Sequence, residues 1–270
     1  MDHNKNIELY SPTGNCNHKL AAFPMSCFNN VLIYVDEMII SCCGGESCWE
    51  YSAKENNWSV IATAPFSHNN QPGVVYQEKV YVMDEPSPKV LDPSSKTWSS
   101  WPSPPNKSGH APSMVGWKDC IILLGGKNNL RGVQIFNITK QTWTALDSSQ
   151  VPMDMSYSST LTLSNGEVFI VGSDQDAYIN SSAFYNPGED SWVKLKETIR
   201  SRQGARLVLL GSKIFVVGGR YSGLVEEFLL KTNAWKPVDA KLIISRNYMS
   251  VIALPAKLFS HLQGGCQGVN

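Results

Sequence analysis

Short apolar runs recur along the chain, and polar turn residues follow each of them. The runs are four or five residues long and rich in β-branched and aromatic side chains, which predicts buried β-strands. Three of them end at a glycine pair, and glycine tolerates the positive φ or close backbone approach that such an exit requires. The five runs cover residues 39–43, 80–83, 121–124, 168–171 and 214–217.

A second pattern follows each run: an aromatic residue or a leucine, and then a tryptophan seven residues later. The pairs are Tyr51/Trp58, Leu91/Trp98, Phe136/Trp143, Tyr185/Trp192 and Phe228/Trp235. Self-similarity at a fixed period of roughly 45 residues indicates one supersecondary unit repeated in an array. A further strand before each apolar run and a short strand at each tryptophan bring the unit to four antiparallel strands, which is typical of a propeller blade.

The double glycine, the tyrosine and the tryptophan at this spacing resemble the kelch repeat. The resemblance covers nearly the whole chain and implies a kelch-type β-propeller. Segment 73–102 departs most from the pattern, since it has no glycine pair and carries Leu91 in the tyrosine position. We expect internal blades at about 28–61, 73–102, 112–147, 158–196 and 204–238.

The two ends of the chain carry complementary halves of the repeat. Residues 7–20 have the pattern of a third and fourth strand, and residues 245–265 that of a first and second strand. Pairing of the two halves would form a composite blade and remove the exposed sheet edges. We therefore expect an all-β, six-bladed propeller that occupies residues 1–270 as a single domain, with the ring closed by pairing of N-terminal and C-terminal strands.

Charge and hydropathy exclude several classes of partner. The 23 basic and 23 acidic residues balance, so no global positive field recruits nucleic acid. No apolar run approaches the roughly 18 residues that membrane insertion needs. The first six residues do not have the pattern of a signal peptide. We expect a monomeric ring.

The cysteines bear on the compartment. Of the seven, Cys43 and Cys48 flank a short turn and would face each other across a hairpin, where a disulfide is feasible. Cys16 and Cys266 fall in the composite blade, where a second disulfide would lock the closure. The alternative is that these cysteines are free thiols buried as small apolar residues. The compartment stays open on this evidence, with an extracellular location favoured over a cytoplasmic one.

Polar and variable loops gather on one predicted face of the ring, formed by the links between blades and the hairpins between second and third strands. Loops held by a rigid scaffold commonly carry recognition, and arginine and tyrosine often dominate interfaces. The alternative is that the arginines and tyrosines of these loops are ordinary solvated loop residues. The tryptophans recur in every blade, which indicates packing rather than ligand stacking. The predicted partner-binding residues are Arg131, Tyr178, Arg202, Arg220, Tyr221, Arg246 and Asn247.

We predict no catalytic residue, no metal site and no cofactor. The histidines are dispersed, and only His68 and His110 occupy equivalent linkers that could converge at the mouth of the ring. A copper or zinc site would need further ligands, and none is evident in the sequence.

The kelch resemblance implies several functions, of which we favour a protein-interaction module. Other kelch proteins are substrate-recognition domains of ubiquitin-ligase adaptors or actin-binding proteins. Because the first predicted strand begins at Ile7, we expect a free-standing propeller rather than an adaptor. A sugar-processing kelch enzyme, the least favoured alternative, would need an arginine and a carboxylate at the mouth, supplied by Arg202 or Arg246 with Glu226 or Asp174.

Overall fold

A computed structural model of the chain describes residues 7–10, 17–25, 31–35, 37–43, 47–63, 72–84, 88–147, 149–176, 179–220, 222–239, 242 and 248–259. These residues form 22 β-strands, and a 3-10 turn spans Ala256–Phe259. Twenty of the strands belong to five four-stranded antiparallel sheets, and the other two form a hairpin. The predicted all-β propeller with four-stranded antiparallel blades is therefore confirmed.

The strands follow each other in chain order within each blade, from the inner to the outer edge. The N-terminal hairpin contains β1 (Ile7–Tyr10) and β2 (Asn17–Leu20). Blade 1 contains β3 (Val31–Val35), β4 (Met38–Cys43), β5 (Ser47–Ser52) and β6 (Asn57–Thr63). Blade 2 contains β7 (Gly73–Tyr76), β8 (Lys79–Val82), β9 (Lys89–Asp92) and β10 (Thr97–Ser100).

The remaining blades have the same composition. Blade 3 contains β11 (Ser113–Trp117), β12 (Cys120–Leu124), β13 (Val133–Asn137) and β14 (Thr142–Ala145). Blade 4 contains β15 (Ser159–Thr162), β16 (Val168–Val171), β17 (Ser182–Asn186) and β18 (Ser191–Lys194). Blade 5 contains β19 (Arg206–Leu210), β20 (Lys213–Val217), β21 (Val225–Leu229) and β22 (Ala234–Pro237).

The repeated tryptophan lies directly opposite its aromatic or leucine partner across the two outer strands of every blade. In blade 5, for example, the Phe228 and Trp235 rings are 5.0 Å apart, within the range of favourable aromatic pairs. The indole N–H of Trp143 donates to Pro102 O at 2.8 Å, and that of Trp235 donates to Lys196 O at 3.0 Å. In blades 3 and 5 the tryptophan thus joins its own blade to the chain that leaves the preceding blade.

The inner strands contact one another in chain order around the ring, from β3 through β7, β11 and β15 to β19. A backbone relay connects the residues that lie two positions before the inner strands. Tyr157 N donates to Ala111 O at 3.0 Å, and Gly204 N donates to Tyr157 O at 3.1 Å. Tyr248 N then donates to Gly204 O at 3.0 Å, so the C-terminal segment continues the relay beyond blade 5.

The prediction of six blades is wrong, because the described residues form five. Within the described ranges, β1 and β2 pair only with each other, and no strand occurs within residues 248–259. Pro255 lacks an N–H donor, and the 3-10 turn follows it directly. Among the described residues, no backbone hydrogen bond joins the N-terminal hairpin to the C-terminal segment.

Side-chain packing joins the two ends instead. Trp58 of blade 1 donates its indole N–H to Ala21 O at 3.3 Å, which places the N-terminal hairpin in the outer position of a sixth sector. Ile252, Leu254 and Leu258 pack against the cluster formed by this hairpin and blade 1. Met249 and Val251 pack against blade 5. The C-terminal segment therefore bridges blade 5 to blade 1 through apolar contacts.

The disulfide in blade 1 differs from the predicted one. The structure joins Cys42 to Cys48, whereas the sequence favoured Cys43 with Cys48. The register explains the difference: Cys42 lies opposite Cys48 with a Cα–Cα distance of 4.2 Å, while Cys43 lies opposite Ser47. Cys16 and Cys266 lie outside the described residues.

Candidate functional site

The loop face of the ring is the surface formed by the hairpins between second and third strands and by the linkers that enter the inner strands. Each hairpin of blades 3 to 5 is bonded to the linker before its own blade. Lys127 N donates to His110 O at 2.9 Å, Asp174 N to Ser156 O at 3.0 Å, and Arg220 N to Gln203 O at 3.1 Å. The hairpins and linkers therefore form one continuous hydrogen-bonded surface.

A charged cluster on this face connects blades 3 and 4. Lys127 forms an ion pair with Asp174, which also accepts hydrogen bonds from the Ser156 hydroxyl and, at 2.8 Å, from Gln175 Nε2. Burial alone would raise the pKa of Asp174, but these three hydrogen-bond donors outweigh it and hold the pKa below its usual range. Asp174 is therefore ionised at neutral pH, and the ion pair persists there.

A neighbouring aromatic cluster connects blades 4 and 5 to the C-terminal segment. The rings of Tyr157 and Tyr248 are 4.9 Å apart in an edge-on arrangement. Gln203 Nε2 donates to the Tyr248 hydroxyl at 2.9 Å, and Arg220 Nη1 donates to Gln203 Oε1 at 3.4 Å. Burial, with the nearby Tyr157 and Asp174, raises the pKa of Tyr248, so its hydroxyl stays protonated.

Arg202 does not lie on the surface, contrary to the expectation from its loop position. Its side chain is 0% exposed and forms an ion pair with Glu226, which is 1% exposed. It also donates to Leu224 O at 3.0 Å and to Gly218 O. Glu226 accepts in turn from Ile199 N at 2.9 Å. The pair clamps the β20–β21 hairpin to the linker before blade 5, because each charge needs a buried partner.

Comparison with known proteins finds no matching family model. Kelch-like protein 30 of Homo sapiens is 26% identical over 113 residues, which are 42% of this chain and 18% of that protein. Kelch-like protein 21 of Mus musculus is 30% identical over 120 residues, which are 43% of this chain and 19% of that protein. These relatives, the tryptophan pairs and the five blades agree. The chain is similar to kelch-repeat β-propellers.

The chain aligns with about a fifth of the length of the curated relatives it matches. A solved structure of YjhT has the same fold, with a TM-score of 0.68 over 82% of this chain and 87% of that one. The sequence identity in that comparison is 15%, so the likeness concerns the fold.

Two residues predicted to bind a partner lie on the loop face of the kelch propeller. Arg220 is exposed, and Arg131 is 42% exposed while its Nε donates to Asp154 at 2.7 Å. The other predicted residues, apart from the buried Arg202, lie outside the described residues. These are Tyr178, Tyr221, Arg246 and Asn247.

Several residues of the loop face were missed in the sequence. Tyr157 and Tyr248 were missed because a tyrosine in a linker resembles any other tyrosine there. Their position in the repeat could have indicated them, because both are equivalent to Ala111 and Gly204. All four residues adopt positive φ. Lys127 was missed because arginines were preferred over lysines in the neighbouring hairpin.

Of the two arginines considered for a sugar-processing enzyme, Arg202 is buried, and Arg246 lies outside the described residues. Arg202 does pair with Glu226, but both are buried, and Asp174 pairs with Lys127. His110 is exposed, and His68 lies outside the described residues. Within the described part of the chain, no group of three or more His, Cys, Asp or Glu side chains could hold a metal. The same part contains no helix of sufficient length and apolarity to cross a bilayer.

Proposed function

We propose that this chain is a protein-interaction propeller that binds a protein partner through the loop face. The kelch relatives and the propeller fold support an interaction module in general. The specific surface is supported by one observation: three hairpins, their linkers and the C-terminal segment form one bonded platform carrying both charges and aromatic rings. Such a platform loses little conformational entropy on binding, because its side chains are already held.

The composition of the loop face suits a polar protein surface. Arg131 and Arg220 lie in the hairpins of blades 3 and 5, while Lys127 and Asp174 provide a fixed pair of opposite charges. Tyr157 and Tyr248 add apolar area with only a partial exposure to solvent. Aromatic residues and arginines beside fixed charges are typical of residues that dominate binding energy.

The test compares two charge-reversal variants of the intact chain. The first carries Arg131→Glu and Arg220→Glu on the loop face. The matched control carries Lys118→Glu and Lys140→Glu, which lie in turns on the opposite face of blade 3. Each immobilised protein captures partners from a lysate and from a body fluid, and each candidate is then measured as a purified binary complex.

We expect the wild type and the control variant to bind the same partner with equal affinity. The loop-face variant should bind at least about tenfold more weakly. Like charges brought together at an interface reduce the binding free energy, and a loss of about 1.4 kcal/mol corresponds to tenfold. Equal binding by both variants, or a loss confined to the control variant, would contradict the proposal.

A further inference from the structure

The loop between β15 and β16 contains the sequence Asn165–Gly166, an asparagine–glycine pair that occurs once in the chain. The asparagine is exposed, and the glycine is half-buried. Leu163 N donates to Glu167 O at 2.8 Å, which closes a loop of three residues. Gly166 has a φ of 88°, as expected of the last residue in a three-residue hairpin loop. The pair therefore lies in a tight turn on the face of blade 4 opposite the loop face.

An asparagine followed by glycine can lose its side-chain amide to attack by the next backbone nitrogen. Glycine has no Cβ, so its nitrogen is the least hindered nucleophile of this kind. Gly166 N gives its proton to solvent and attacks Asn165 Cγ. The new N–Cγ bond closes a succinimide ring, and the Cγ–Nδ2 bond breaks as ammonia leaves with a proton from solvent. Water then opens the ring at either carbonyl carbon, which leaves aspartate or isoaspartate at position 165.

The folded loop opposes this attack at both reacting groups. Gly166 N donates to Leu163 O at 2.9 Å, so its proton is held by an acceptor within the loop. Asn165 Nδ2 donates to Glu167 Oε2 at 2.6 Å, and Asn165 Oδ1 accepts from Glu167 N at 3.1 Å. Ring closure requires the carboxamide to turn toward Gly166 N, and this rotation disrupts the bonds to Glu167.

We propose that Asn165 is a deamidation site and that Glu167 slows the reaction by holding the carboxamide away from Gly166 N. The bond from Asn165 Nδ2 to the Glu167 carboxylate is charge-assisted, and such bonds are stronger than neutral ones. Glu167 acts through Asn165 and is a positioning residue. The reaction is slow while the loop is closed and proceeds when the loop opens.

Asn186 provides an internal control in the same blade. Its Oδ1 accepts from Gly188 N at 3.0 Å in the turn between β17 and β18. The next residue is Pro187, whose nitrogen carries no proton and therefore cannot close the ring. Asn186 should stay unmodified under conditions in which Asn165 reacts.

Deamidation changes the loop that it occurs in. A carboxylate at position 165 cannot donate to Glu167, so two negative charges face each other where a hydrogen bond was. We expect Asn165→Asp, which reproduces the aspartate product, to speed amide hydrogen exchange at Leu163 and Gly166. Unchanged exchange at both amides would contradict this description of the loop.

The experiment incubates the intact chain at pH 7.5 and 37 °C and follows each asparagine by peptide mass spectrometry. A parallel sample in guanidinium chloride gives the rate for the open loop. Asn165 should be the first asparagine modified in the denatured sample, and it should react at least about tenfold more slowly in the folded chain because its hydrogen bonds must break. Equal rates in the two samples, or earlier modification of another asparagine in the denatured sample, would overturn the proposal.

Variants then test the role of Glu167. Glu167→Ala should speed deamidation of Asn165 in the folded chain at least about fivefold, the factor expected from the loss of one hydrogen bond. Glu167→Gln keeps an acceptor for Asn165 Nδ2 and should restore most of the protection. All three chains should react at the same rate in guanidinium chloride. A wild-type or slower rate for folded Glu167→Ala, or a Glu167→Gln rate as fast as that of the denatured chain, would refute the role of Glu167.

Discussion

Tyr248 packs edge-on against Tyr157, with 4.9 Å between the ring centroids. The contact joins a residue near the C-terminus to the linker before blade 4, across the linker that contains Gly204. Because Tyr248 N also donates to Gly204 O, backbone and side chain hold the C-terminal segment in the same place. Residues 248–259 therefore bridge blade 5 to blade 1 as a packed chain rather than as a hydrogen-bonded strand.

Truncating the Tyr248 side chain should loosen this closure. We expect Tyr248→Ala to lower the free energy of unfolding by about 2 kcal/mol, less than a fully buried aromatic would cost, because the ring is half-buried. The measurement is urea denaturation followed by tryptophan fluorescence. Tyr248→Phe, which loses only the hydrogen bond from Gln203, should cost about 1 kcal/mol or less. Equal losses for the two variants would mean that packing of the ring contributes nothing.

The buried ion pair gives a larger effect. Arg202→Ala should leave Glu226 charged and buried, and we expect it to destabilise the protein by about 3–5 kcal/mol. Arg131→Ala, which breaks the exposed pair with Asp154, should cost less than about 1 kcal/mol. The measurement is the Tm of thermal unfolding for the two variants and the wild type. A Tm for Arg202→Ala equal to that of Arg131→Ala would show that Arg202 has no structural role.

The repeating core could be predicted from the sequence because every copy of the repeat has the same residue spacing and therefore the same packing. The seven-residue spacing of Phe136 and Trp143 places them opposite each other across two outer strands, and the structure has this register. Gly125 and Gly126 both adopt positive φ where the chain leaves β12, as the glycine pair indicated. Where one copy departs from the pattern, the other copies still show which position is which. Leu91 could therefore be assigned to the position opposite Trp98, which an aromatic residue occupies in the other blades.

The ends and the site could not be predicted in the same way, because neither is repeated. The apolar pattern before Pro255 indicated a strand. Strand formation also needs a neighbouring strand to pair with, and the local pattern does not show whether one is present. The burial of Arg202 depends on Glu226, a carboxylate 24 residues away in β21. Whether Cys42 or Cys43 bonds to Cys48 depends on the register of the two strands, which the sequence does not give to within one residue.

The Lys127–Asp174 pair makes stability depend on pH. The folded-state pKa of Asp174 lies below its ordinary value, so its contribution is fully present above the unfolded pKa near 4 and is lost as pH falls through the folded pKa. Wild type should therefore exceed Asp174→Asn in stability at pH 6, by on the order of 1 kcal/mol because Lys127 is partly exposed. The advantage should shrink between about pH 5 and pH 3. An advantage that is constant over this range would contradict the assignment.

Reduction of the disulfide should lower stability in a way that identifies the bonded cysteine. We expect wild type to lose about 2 kcal/mol on reduction, the entropic value for a short closed loop. Cys43→Ser should keep this loss of stability on reduction, whereas Cys42→Ser should remove the part that the Cys42–Cys48 disulfide contributes. Unfolding in urea with and without dithiothreitol provides the comparison. The opposite pattern would restore the Cys43–Cys48 pairing.

Hydrogen–deuterium exchange of the chain alone and in complex with its protein partner tests the proposed interface most directly. The account predicts slower exchange in the hairpins around Lys127–Arg131, at Asp174 and at Arg220, and unchanged exchange in the opposite turns at Lys118 and Lys140. Protection of the opposite turns with an unaffected loop face would contradict it.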